Sequence, residues 1–276
     1  MKLDMEINAI EHIEKNIHDE ILDRIAAAEI EHGVKVLLAI ESGSRAWGFA
    51  SATSDYDVRF IYIHKKDWYI DIDLEAKRDV IEYPIVDEID INGWDLRKAL
   101  KLYSNSNPSF VEWINSPIVY TNEGNFALSA KALLPEIYSA EKGIHHYHSM
   151  AKTNYRGYLK ADKVPYKKYL YVLRALLSIR WLERYKTPAP IQFSVLLDRV
   201  LDNDSLLEDI NELLRRKRAE TEKALSLPIK PINTFIETEL LRLESYAGKY
   251  GDKGDSIDLL NSLFHRVLNE SIHHCD

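Results

Sequence analysis

The sequence predicts an α+β chain: an N-terminal mixed β-sheet with flanking helices, followed by an all-helical C-terminal domain. Three observations carry that expectation. Short β-branched runs are confined to the stretch before Thr121, and helical periodicity dominates after it. Turn-forming residues cut the second half at Val164-Pro165, Pro188-Ala-Pro190, Leu227-Pro228 and Gly251 to Gly254. Residues 4–31 read as an amphipathic helix, with Ile7, Ile10, Ile13, Ile17, Ile21 and Ile25 near helical spacing. Strands are expected at 34–41, 56–63, 79–83 and 85–91, with Pro84 breaking the last two apart. Asn92-Gly93 reads as a turn before a helix from Trp94 to Tyr103. Asn107-Pro108 starts a short helix through Trp113, and Pro117 to Tyr120 reads as one more strand. Helices are then expected near 124–138, 140–162, 166–186, 191–201, 203–224, 230–249 and 255–272. On this reading residues 1–125 form one domain and 126–276 a second.

Composition narrows the class. With 46% hydrophobic residues the chain can bury a substantial core. A single cysteine, Cys275, rules out an internal disulfide framework and suits a reducing compartment. No apolar run approaches the length of a membrane span, and a cytoplasmic address is expected. The net charge of −8 argues against nucleic acid until its distribution is considered. From Lys142 to Lys186 there are eleven Lys and Arg against Asp162 and Glu183, so this segment carries +9 and the remainder −17. Seven tyrosines lie in the same segment, at 147, 155, 158, 166, 169, 171 and 185. Basic charge interleaved with aromatic rings suits an anionic ligand that carries a base. For any single Lys or Tyr a solvated helix face or a core position is the plainer reading.

The most specific pattern lies between residues 42 and 61. An apolar run, Val34 to Ile40, leads into Gly43-Ser44, where glycine permits a tight turn and serine offers a hydroxyl and a backbone N–H to a phosphate. Eleven residues after Ser44 comes Asp55-Tyr-Asp57. Tyr56, Val58 and Phe60 alternate with Asp55, Asp57 and Arg59, so a strand would place both aspartates and the arginine on one face. Adjacent carboxylates repel unless a cation lies between them, and Mg²⁺ held by carboxylates plus substrate phosphates answers that need. A third carboxylate is expected from Val86-Asp-Glu-Ile-Asp-Ile91. Asp90 is favoured there, Glu88 shares its face as the competitor, and Asp87 faces away. Arg45 and Arg59 either reach phosphate or offset the local carboxylates. His145, His146 and His148 lack the nearby ligands of a zinc site, and His273-His-Cys275 sits at the tail. Arg215-Arg-Lys-Arg218 reads as a charge run matched to the helix dipole, and Trp47, Trp94, Trp113 and Trp181 as core residues.

Gly43-Ser44, Asp55-x-Asp57 and the apolar-Asp90-apolar strand resemble the nucleotidyltransferase superfamily of DNA polymerase β. The longer run from Gly43 to Phe49, with Ser54-Asp-Tyr-Asp-Val-Arg59, is similar to the YcgL-like or RNA-ligase-associated branch of predicted nucleotidyltransferases. So are Gly93 to Leu100, Asn107-Pro108, Glu112-Trp113, Ser116 to Tyr120, and Tyr169 with Arg174. The resemblance implies an N-terminal sheet of the nucleotidyltransferase type. It also implies transfer of a nucleoside monophosphate from an NTP to an acceptor hydroxyl, with release of pyrophosphate. Under it, Gly43 and Ser44 hold the triphosphate, while Asp55 and Asp57 ligate two Mg²⁺ ions, Mn²⁺ being the alternative. Asp90 ligates the second ion and helps deprotonate the acceptor. Lys168 and Arg174, six residues apart on the 166–186 helix, are candidates to add charge to the triphosphate.

The basic tyrosine-rich segment ranks an RNA 3′ end first among acceptors, ahead of a protein or small-molecule hydroxyl. A nucleotide- or RNA-binding module without turnover, and a toxin–antitoxin component that modifies a protein, remain the competing classes. No membrane partner is expected.

Overall fold

The structure is a computed structural model and describes residues 13–219, 224–244 and 256–272. Ile7, Ile10, Gly251 to Gly254 and His273 to Cys275, singled out above, lie outside the described residues. In chain order the elements begin with helix α1 (Lys15–His32), strand β1 (Lys35–Glu41), the short helix α2 (Gly43–Trp47) and strand β2 (Tyr56–Ile63). Next come α3 (Lys66–Tyr69), β3 (Val80–Glu82), β4 (Ile89–Asp95), α4 (Leu96–Ser104), α5 (Pro108–Ile114) and β5 (Val119–Asn122). The rest is nearly all helix: α6 (Phe126–Ala132), α7 (Leu134–Ile137), α8 (Ala140–Asn154), α9 (Tyr166–Tyr185) and α10 (Phe193–Val200). The last described helices are α11 (Asp204–Ala219), α12 (Lys230–Glu244) and α13 (Ile257–Ile272). A two-residue ladder joins β6 (Val164–Pro165) to β7 (Leu225–Ser226).

The chain gathers into two compact units, each drawn from separate stretches. The sheet unit takes described residues 13–46, Asp55–Tyr138 and 256–272. Its five strands run β3-β4-β2-β1-β5, with β2 and β4 parallel and every other pair antiparallel. One face of the sheet packs on α1: Ile21, Ile25 and Ala28 bury against Val36, Val58, Phe60, Tyr62, Ile89 and Ile91. On the other pleat Trp94 stacks on Trp113 of α5, ring centroids 3.7 Å apart. Local chemistry sets the helix starts. Asp95 Oδ1 accepts from the Arg97 amide at 2.8 Å to cap α4, and Asn107 Oδ1 accepts from the Ser109 amide at 2.9 Å ahead of Pro108 to cap α5.

The strand expected at 85–91 lies instead at Ile89–Asp95, and the turn before it occupies the residues after Pro84. Asp87 and Glu88 make that turn with positive φ, at 53° and 63°. Asn92 and Gly93 are therefore strand residues and not a turn. The Phe60 ring on β2 lies directly over Gly93, where any Cβ would collide with it. The α4 helix consequently starts at Leu96, two residues later than read from the sequence.

The helical unit takes Trp47–Ser54 with described residues 139–219 and 224–244. Its central helix α9 buries Tyr169, Leu170, Leu173, Leu177 and Leu182. Helix α8 runs into a π-helical turn, Tyr155–Leu159, so the single helix expected over 140–162 is two geometries in series. Buried Glu239 is held by Arg180 at 2.8 Å and Arg242 at 2.9 Å, and these two cations keep its carboxyl below the usual range despite burial.

Candidate active site

The site grows from the end of β1. Glu41 closes that strand fully buried, and the chain turns sharply at Gly43, whose φ is +63°. Ser42 N donates to Asp57 O at 2.9 Å, which fastens this turn to β2. Two constraints select glycine at 43. An L-residue is strained at that φ, and a Cβ there would collide with the Asp57 carboxylate. The Gly-Ser turn and the second aspartate are thus pressed together, with Ser44 6% exposed behind Gly43. Arg45 lays its guanidinium 3.9 Å above the Tyr56 ring.

Asp57 and Asp90 pair directly across the parallel β2–β4 ladder and so share a pleat. Arg59, two residues along β2 on the same side, donates from Nη2 to Asp90 Oδ2 at 2.6 Å and lies 3.4 Å from Asp57 Oδ1. Its Nη1 donates to the carbonyls of Val58 and Asp90, both at 2.8 Å. Arg59 thus places its guanidinium beside both carboxylates. Asn92, displaced from the expected turn into β4, donates to Asp90 Oδ1 at 2.6 Å and completes the grip on that side chain. Asp55 is half-buried one residue before β2 begins. Glu88 does not compete with Asp90: it is exposed in the turn ahead of β4, where its carbonyl accepts from the Tyr56 amide at 2.8 Å. Asp87 pairs with Arg24 on α1.

Two groups near the carboxylates were not anticipated. Glu41 Oε1 accepts from the Asp57 amide at 2.9 Å, and Glu41 Oε2 accepts from the Tyr120 hydroxyl at 2.6 Å. Burial, more than the neighbouring Asp57 charge, pushes the Glu41 carboxyl up to about 8. Burial and the same carboxyl push the Tyr120 hydroxyl above its ordinary value. The available signal was an acidic residue ending an apolar strand just before the glycine turn.

Lys168 and Arg174 belong to the helical unit. Lys168 Nζ lies 4.1 Å from the Tyr158 ring centroid. Arg174 is 3% exposed, covers the Trp47 ring at 4.5 Å and donates from Nε to Ile191 O at 3.4 Å. Among the described residues no group of three or more His, Cys, Asp or Glu side chains is gathered closely enough to hold a metal, the histidines at 145, 146 and 148 included. None of the described helices is long and apolar enough to cross a membrane.

Residues 17–266 match the model of the RNA repair pathway DNA polymerase beta family. The chain is 43% identical over 251 residues to the uncharacterized protein YcgL of Bacillus subtilis (strain 168), an alignment covering 91% of this chain and 96% of that one. A solved nucleotidyltransferase-like protein from Exiguobacterium sibiricum 255-15 covers 92% of this chain and 80% of its own, at 12% identity and a TM-score of 0.32. With a family model spanning most of its length and a relative at that identity, this chain belongs to the RNA repair pathway DNA polymerase β family, a nucleotidyltransferase-like family.

Proposed function

We propose that the protein is a Mg²⁺-dependent nucleotidyltransferase that moves a nucleoside monophosphate from an NTP to the 3′ hydroxyl of an RNA in the cytoplasm. The observation that carries this reading is the pairing of Asp57 with Asp90 on one pleat, with Gly43 pressed against Asp57. The donor set suits a hard cation. It offers carboxylate oxygens only, and Mg²⁺ is usually held by one or two carboxylates together with substrate phosphates and not by a full protein cage. Asp57 and Asp90 would hold the metal together with substrate phosphates, and Asp55, which is not gathered with them, would join when the nucleotide is bound, with Mn²⁺ as a substitute. Such ions supply stabilisation of charge on the attacking and leaving oxygens of an in-line displacement.

The chain's own groups then have defined tasks. Gly43, lacking a side chain, lets a phosphate approach the backbone, and Ser44 binds it. Arg45 and Arg59 face phosphate oxygens, Arg59 exchanging part of its contact with the aspartates for the nucleotide. Asp90 takes the proton of the acceptor hydroxyl. RNA is favoured as acceptor because Arg156, Tyr158, Lys160 and Lys163 are all exposed around the π-helical turn, a basic surface carrying an aromatic ring. One observation favours a second reading, a binder without turnover: Arg59 already meets the charge of both carboxylates.

The deciding experiment incubates the protein with each α-labelled NTP, Mg²⁺ or Mn²⁺, and RNA bearing a free 3′ hydroxyl, with total protein as the competing acceptor. Label on RNA that is lost in Asp57→Ala supports the proposal. Absence of both labelled acceptor and pyrophosphate across the panel overturns it in favour of the binder.

A further inference from the structure

Cations in the helical unit fall into two groups. One group is matched by carboxylates: Arg180 meets Glu239 at 2.8 Å, Arg242 meets Glu183 at 2.7 Å, Arg216 meets Glu212 at 2.6 Å and Lys152 meets Glu244 at 3.4 Å. The other group is Arg156, Lys160, Lys163 and Lys168, none of which makes an ion pair among the described residues. All four lie on the stretch that leads through the π-helical turn into α9. The first three are exposed and Lys168 is half-buried. Like charges gathered without counter-charges build a positive potential that an anionic ligand relieves.

Rings are threaded among these charges. Lys168 Nζ lies 4.1 Å from the Tyr158 ring centroid and 5.3 Å from that of Tyr171. Tyr171, three residues along α9, stands edge-on to Trp47 with centroids 5.1 Å apart. Arg174, three residues further, covers the Trp47 ring at 4.5 Å. Cations and rings therefore alternate along one flank of the helical unit, from a buried end at Arg174 to an open end at Tyr158, 44% exposed. Gly157 keeps that end clear, since a Cβ there would meet nothing within 4 Å. A lysine already held against two rings gives up little further freedom when a ligand arrives.

We propose that this flank selects single-stranded RNA over duplex: one base stacks on Tyr158, and the neighbouring phosphates engage Arg156, Lys160, Lys163 and Lys168. A duplex keeps its base faces inside its own stack, so an exposed ring is of use only to an unpaired strand. The cations follow the backbone whatever its sequence, and the ring accepts any base, because every base has a π-face. This rests on the RNA reading above and adds to it the form of RNA that is taken.

The test measures binding of a fluorescent RNA of about 12 nucleotides to the full-length protein, with neither NTP nor metal present. Wild type should hold the single strand roughly 5-fold or more tighter than the same sequence in a duplex. Tyr158→Ala should weaken single-strand binding roughly 5- to 150-fold, the value of one stacked base, and Tyr158→Phe should restore it. Lys160→Gln and Lys163→Gln should each lower the salt slope by about 0.7. Tyr185→Ala, on a ring 37% exposed at the far end of α9, should match wild type. Duplex bound as tightly as single strand, or wild-type binding by Tyr158→Ala, overturns the proposal. Should Tyr158→Ala fail to fold, the two lysine variants decide: unchanged slopes overturn it, lowered slopes with single-strand preference support it. If RNA binds as expected yet receives no label in the transfer assay, the transferase reading fails and this site stands. If label reaches RNA while Tyr158→Ala binds as wild type, the site fails and the transferase reading stands.

Discussion

Asp57 and Asp90 are direct neighbours across the parallel β2–β4 ladder, and the Arg59 guanidinium reaches both. A cation is therefore already present where two carboxylates would otherwise repel. Arg59→Met removes it. In chelator the variant should lose about 1–3 kcal/mol of stability. Added Mg²⁺ should raise its melting temperature more than that of wild type, because the metal takes the place of the missing charge. An equal response to Mg²⁺ in both proteins would contradict competition for that place.

Gly43→Ala tests the contact between the turn and Asp57. Gly124 is the control, with φ at +65° and nothing near its would-be Cβ. Gly124→Ala should cost only the strain of a left-handed alanine, about 1–2 kcal/mol. Gly43→Ala adds a collision with the Asp57 carboxylate and should cost more, with NTP binding lost in calorimetry. Equal melting temperatures for the two variants would show that the Asp57 contact carries no weight.

Asp95 offers a pH test away from the carboxylates on β4's other pleat. Its side chain is 1% exposed and accepts from the Tyr69 hydroxyl at 2.6 Å, and burial pushes its carboxyl up to about 6 from 3.8. Between those values the folded chain holds a proton that the unfolded chain has released. Stability from this group is complete below about pH 4, falls as pH rises towards 6 and is level above it. The fall should total about 3 kcal/mol in denaturant titrations and flatten in Asp95→Asn, which can still cap α4. A wild-type profile in Asp95→Asn would assign the slope elsewhere.

Glu41 is tested by shape against charge. Glu41→Gln can accept from the Asp57 amide and donate to Tyr120, so it should stay within about 1 kcal/mol of wild type. Glu41→Ala leaves both partners without an acceptor and opens a cavity, and it should cost more than about 2 kcal/mol in chemical denaturation. Near-equal losses in the two variants would mean that these hydrogen bonds contribute little.

What the sequence made legible was whatever depends on local periodicity. The strands at 35–41 and 56–63 follow from β-branched runs, and alternation puts Asp55, Asp57 and Arg59 on one side, of which Asp57 and Arg59 lie in β2 and Asp55 just ahead of it. Asp90 was preferred over Glu88 because it stands between two isoleucines, and those isoleucines are buried under α1. What failed depended on distant residues. Asn92-Gly93 has the composition of a turn, but the ring of Phe60 occupies the space above Gly93 and draws the pair into β4. Lys217 sits in a run of four cations, and nothing within α11 tells which of them two serines more than 160 positions earlier will bury. Glu41 ends an apolar run in the sequence, and the Tyr120 hydroxyl that reaches it comes from β5, far along the chain.

The turn at Asp87 and Glu88 has a consequence for how change at this locus is tolerated. Asp90 is flanked by Ile89 and Ile91, which lie on the opposite pleat against α1. Slipping β4 by a single residue would exchange charged and apolar neighbours, carrying a carboxylate into the core and two isoleucines onto the face that Asp57 shares. The greasy residues thus serve as alignment pins for the acidic one. A one-residue deletion between 85 and 88 should be absorbed by rebuilding the turn, because the pins re-seat before the carboxylate can drift.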